Sequence, residues 1–131
     1  MGYHVVNGDD HEYEERTFVE GQPPRLAADV TTSAQLTQSR GRIWRYPPHT
    51  RGRRHADRVQ EEVFVVLSGT LTMLLGHPPE RFDLPPQSVV AVEPMTSLQA
   101  RNESEEELVL YVYGAPPEQA GAEHFDDPGD L

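Results

Sequence analysis

The chain has 131 residues, a formal charge of −11 and no cysteine. That length allows one domain with its own core, and the missing thiols exclude a disulfide framework, a thiolate metal site and a cysteine nucleophile. The acidic balance excludes the net basic face of a nucleic-acid binder, and no apolar run approaches the length of a membrane span, so we expect neither nucleic-acid nor membrane partners and a cytoplasmic location.

Twelve prolines and ten glycines cut the chain into short pieces. An acidic extension over roughly residues 7 to 15 precedes strands predicted at Thr17–Glu20 and Ala34–Gln38. Arg42–Tyr46 follows, where alternation places Trp44 and Tyr46 on one face. The next strands are expected at Arg53–Asp57 and at Glu62–Leu67, the latter too apolar to carry a solvated face. Thr70–Leu75 alternates threonine with apolar residues at its start, as a strand with one wet face does. Arg81–Leu84, Ser88–Glu93 and Leu98–Asn102 come next. The uniformly apolar or aromatic Leu108–Tyr113, within Glu107–Tyr113, is expected to sit centrally. Pro-, Gly- and Asn-bearing turns separate these runs, and many short strands at regular spacing indicate an all-β sandwich or barrel. We read residues 1–131 as a single domain with its barrel core at about 34–114. Residues 116 to 131 form a second extension, with a short helix around Pro117–Ala122.

Chemistry concentrates between His55 and Gly69. His55 and Asp57, two apart on a strand, face the same way, and Glu62 opens the following apolar run. A polar triad beside a buried strand is costly unless it serves as a site. His55 with Glu62 is a candidate acid–base pair, the carboxylates favouring the charged imidazole. The same three residues offer one imidazole and two carboxylates, a donor set that suits manganese, iron(II) or zinc. The bland alternative pairs Glu62 with Arg53 or Arg101 in a structural ion pair at the barrel rim. His4, His11, His77 and His124 read as surface residues, and His49 reaches the site only if its loop folds back. All eleven basic residues are arginine, and Arg40, Arg42, Arg45, Arg51, Arg53, Arg54 and Arg58 crowd one stretch. Either they pair with the acidic surface and tails, or they ring the mouth of a pocket and attract an anion.

The string QEEVFVVLSG resembles the first motif of the cupin superfamily, Gly-x5-His-x-His-x3,4-Glu-x6-Gly. Glu62 and Gly69 keep its spacing, His55 falls on the first histidine, and Asp57 replaces the second. In the best register of the second motif only Asn102 survives, and Leu98 stands where the resemblance implies a metal-binding histidine. The resemblance covers about residues 40 to 114 and implies a jelly-roll β-barrel with a degenerate metal site.

Leu98 makes the expected pocket, lined by Trp44, Tyr46, Phe64, Val66, Leu98 and Ala100, more apolar, as small-ligand sites are. The first reading is a small-molecule-binding protein, working as a metal-independent isomerase- or cyclase-type catalyst through His55 and Glu62. The alternatives are a metal-dependent dioxygenase or isomerase holding its ion on His55, Asp57 and Glu62, and a non-catalytic metabolite sensor. No cofactor is favoured, a divalent transition metal stays open, and the ligand is a small organic molecule, anionic if the arginines face it. A homodimer is expected, sharing edges near Tyr3–Val6 and Arg16–Glu20.

Overall fold

A computed structural model describes residues 2–117 and 121–131, so half of the helix expected at Pro117–Ala122 lies outside the described residues. Two antiparallel sheets face each other as a jelly roll. The first contains β1 (Tyr13–Arg16), β2 (Arg25–Asp29), β3 (Arg40–Tyr46), β6 (Glu61–Ser68), β9 (Val89–Val92) and β11 (Leu108–Ala115), in the order β1-β2-β3-β11-β6-β9. The second contains β5 (His55–Ala56), β7 (Leu71–Leu75), β8 (Glu80–Leu84), β10 (Leu98–Asn102) and β12 (Glu123–His124), in the order β12-β5-β10-β7-β8, with β4 (Thr50–Arg51) also on β10.

Alternation decides what lies between the sheets. Phe64 and Val66 of β6, Leu108, Leu110 and Val112 of β11, and Leu71 and Met73 of β7 point inward and meet Val90, Val92, Leu98 and Ala100. β11 is central, hydrogen-bonded along its length to β3 on one side and β6 on the other. The tight β6–β7 turn depends on Gly69, whose φ of +80° suits glycine, and a Cβ there would lie 2.9 Å from the Leu108 Cα.

The N-terminal third departs from expectation. Thr17–Glu20 is a turn, closed by the Gln22 N–H donating to the Val19 carbonyl; the hairpin strands are β1 and β2 on either side of it. Ala34–Gln38 is no strand either. Asp29 caps a one-turn helix, α1 (Val30–Ser33), by accepting from the Thr32 N–H and hydroxyl, and the Ala34 and Leu36 amides close the following turns. Tyr3–Val6 forms no strand and Arg16–Glu20 contributes only Arg16, so the expected dimer edges are not strands; β1 is the edge of its sheet.

Two faces also differ. β6 has an outer side open to solvent: Leu67 is half-exposed, because side chains alternate even along an unbroken apolar run. β7 has no wet face. Thr72 is buried and donates to Asp83, and residues 125–131 cover this outer side of the sheet. There Arg101, fully buried, pairs with Asp127 at 3.0 Å and Glu103 at 3.3 Å and donates to the Gly129 carbonyl, while Arg51 grips Asp127 from the other side. The C-terminal extension is therefore docked on its own barrel. Among the described residues, no helix is long and apolar enough to cross a membrane.

Candidate active site

Between the sheets lies a cavity of about 320 Å³. Its walls come from β2 and β3 (Arg25, Arg40, Arg42, Trp44, Tyr46), from β5 to β6 (Arg53, His55, Asp57, Gln60, Glu62, Phe64), from β10 (Leu98, Ala100), and from Val112, Ala122 and His124. Trp44, Tyr46, Phe64, Leu98 and Ala100 thus lie where the pocket was expected. Val66 does not: it faces inward from β6 but is enclosed by core residues away from the cavity.

His55, Asp57 and Glu62 come together at one wall, with a possible ligand atom from each lying within 4.8 Å of the others. The β5 backbone sets the imidazole. His55 Nδ1–H donates to the Arg53 carbonyl at 3.0 Å, and because a carbonyl only accepts, the tautomer is fixed and Nε2 is turned to the carboxylates. Nε2 stands 3.7 Å from Glu62 Oε1 and 3.9 Å from Asp57 Oδ1, ion-pair distances too long for hydrogen bonds.

Electrostatics follow from that crowding. Burial, with the neighbouring Glu62 charge, raises the Asp57 carboxyl to about 6. Burial works against the charged form of His55, but Glu62, the Arg53 carbonyl and Asp57 outweigh it and hold the imidazole above its ordinary value.

Three buried side-chain polar atoms among the described residues have no hydrogen-bond partner: Arg25 Nε, Gln60 Oε1 and Glu62 Oε1. All three residues line this one cavity. Buried polar atoms are nearly always satisfied, and these three gather at a single cavity.

The arginine stretch divides between both of its readings. Arg40, Arg42 and Arg53 line the cavity. Arg45 pairs with Glu107, Arg51 with Asp127 and Arg58 with Glu123, while Arg54 bonds the Gly76 and Asp126 carbonyls. Neither Arg53 nor Arg101 closes onto Glu62; Arg101 points out of the opposite face of its sheet, and Arg53 lies by His124. His49 meets Glu105, outside the cavity. His124 is exposed, as expected, and also lines the cavity, because β12 pairs it directly with His55. No local pattern announces that pairing. Arg40 and Arg42 were findable, since alternation carried back from Trp44 puts both on its face; Arg25 was hidden in the unrecognised β2.

The cupin domain family matches residues 42–114. The chain belongs to the cupin family. Among solved structures it resembles the polyketide cyclase RemF from Streptomyces resistomycificus, with a TM-score of 0.78 at 14% identity, covering 96% of this chain and 87% of that one. It also resembles a sugar phosphate isomerase from Silicibacter pomeroyi, with a TM-score of 0.73 at 18% identity, covering 86% and 75%. KdgF from a Halomonas species gives a TM-score of 0.69 at 14% identity, covering 90% and 97%. At such identities the likeness is one of fold. No curated protein matches the chain in sequence. In this cupin, Asn102 serves the architecture: its side chain donates to the Tyr46 and Glu106 carbonyls and accepts from Ser104.

Proposed function

We propose that the cavity binds a small organic molecule and that His55 and Glu62 move a proton on it, in an isomerase- or cyclase-type reaction that needs no metal. The observation carrying this reading is Glu62 Oε1: buried, bonded to no protein group, and 3.7 Å from an imidazole nitrogen whose direction the backbone fixes. Glu62 is placed to take a proton from bound substrate, the protonated imidazole to return one at a neighbouring atom, and Asp57 to hold the imidazole charged. Leu98 supports the metal-free reading, since it puts an aliphatic wall where the family resemblance implies another imidazole.

The test is solvent deuterium exchange into a panel of sugar phosphates and cyclisable ketones, using chelator-treated protein. Exchange should survive chelation and fall roughly 10²- to 10⁴-fold in Glu62→Gln. Exchange abolished by chelation and restored by one equivalent of metal would overturn it.

A second reading draws on the donor geometry. One imidazole nitrogen and two carboxylate oxygens within 4.8 Å fit a three-ligand divalent cation with open positions. His55, Asp57 and Glu62 would hold it, and bound there it would polarise a substrate oxygen. Ligand sensing without chemistry is the third reading, and ligand-induced stabilisation with no exchange would select it. We propose also that the chain forms a homodimer, supported by the open edge at β1 and by exposed Leu67, Val89 and Tyr113 on the outer face of the same sheet. A monomer mass by sedimentation at micromolar concentration would refute it.

A further inference from the structure

The cavity's polarity is uneven. Four guanidinium groups line it, those of Arg25, Arg40, Arg42 and Arg53, against the two carboxylates of Asp57 and Glu62. The whole chain has the opposite balance, with twice as many acids as arginines. Among the described residues, neither Arg25 nor Arg42 has a carboxylate within 4 Å.

Aromatic rings support these two groups without neutralising them. The Arg25 guanidinium lies over Trp44 at 4.7 Å and Tyr46 at 5.2 Å and donates to the Tyr46 hydroxyl, while Arg42 lies 5.9 Å from the Trp44 centroid. Burial, then the neighbouring Arg40 and Arg16, work against the charged form of half-buried Arg42, a cost that Asp29 and Glu62 offset only in part. A bound anion would offset it. Arg25 Nε–H is also an unmet buried donor, whereas Gln60 Oε1 and Glu62 Oε1 are unmet buried acceptors.

From this distribution we infer that the ligand is a small hydroxylated organic anion. Its carboxylate or phosphate oxygens are received by Arg25 and Arg42 beside Trp44, and its hydroxyls donate to Gln60 and Glu62. A planar guanidinium suits either oxyanion, which is the chemistry the two share. The inference rests on the cavity being the ligand site proposed above, but not on any proton transfer within it.

Trp44 is the chain's single tryptophan and sits between the two arginines, so its fluorescence reports occupancy directly. The probes are gluconate, glucose 6-phosphate, neutral glucose and hydroxyl-free butyrate. Gluconate or glucose 6-phosphate should give a saturable change, roughly tenfold or more tighter than glucose or butyrate; which of the two binds identifies carboxylate or phosphate. Arg25→Met and Arg42→Met, on separate strands and each checked for folding by circular dichroism, should weaken that binding by a similar factor. Saturable anion binding by the parent chain without deuterium exchange into that anion would keep this inference while the acid–base reading fails, which separates the two. No saturable change with either anion, glucose binding as tightly as gluconate, or undiminished binding in both folded arginine variants would overturn it.

Discussion

His55 and Leu98 face one another directly across the antiparallel pairing of β5 with β10, and both line the cavity. Position 98 is thus beside the His55–Asp57–Glu62 cluster in space as well as in motif. Leu98→His adds an imidazole to a site that already offers three donors, and we expect zinc or manganese affinity to rise by about tenfold or more. Metal analysis after dialysis, comparing the variant with the parent chain, checks this; equal metal content would mean that the cluster cannot close around an ion.

Glu62→Gln removes a charge that raises both of its neighbours. The Asp57 midpoint should move down from about 6 but stop short of its ordinary value of 3.8, because burial remains; the His55 midpoint should also move down. The signs differ in consequence. A raised carboxyl pKa favours the protonated folded form, so Asp57 lowers stability as pH rises from 3.8 to about 6. The raised His55 value contributes stability below its unfolded pKa that is lost as pH climbs through the folded one. Denaturant unfolding of Glu62→Gln should therefore show a flatter pH dependence over both windows, with nuclear magnetic resonance titrations giving the midpoints.

Asp127→Asn should loosen the C-terminal segment. Burial pushes the Asp127 carboxyl up, but hydrogen bonds from Arg51, Gly129 and Gln99 prevail and hold it below its ordinary value. Its contribution is present above pH 3.8 and lost as pH falls through the lowered value. The variant leaves Arg101 buried with Glu103 as its remaining ion-pair partner, at a cost of about 3 kcal/mol. Chemical denaturation measures that cost, and faster amide exchange confined to residues 121–131 would locate it.

Gly69→Ala tests the turn rather than the site. Its positive φ and the nearby Leu108 backbone leave no room for a methyl group, so we expect a loss of about 2 kcal/mol with the cavity chemistry unchanged.

The barrel was legible where periodicity and turns agree. From Arg42 onward, each main strand was placed within a few residues, because Phe64, Val66, Leu110 and Val112 recur at the spacing a buried face requires. The N-terminal part was not, because Asp29 acts as a helix cap and competes with the strand reading of Ala34–Gln38. At the cavity wall, the i, i+2 relation joined His55 to Asp57 and the apolar run fixed the face of Glu62. Arg25 and His124 were not legible, since each reaches the cavity through strand pairings that bridge distant parts of the chain. Thr72 misled for a related reason: a polar residue on an outer face signals water unless another segment covers it.

That covering segment joins two matters that are otherwise separate. The same stretch that sets Asp127 against Arg51 and Arg101 also delivers Ala122 and His124 to the cavity wall. A molecule held against His124 and the anchorage of the chain's last ten residues are therefore thermodynamically linked. Each should shield the other, and a filled cavity should slow a carboxypeptidase that never touches it.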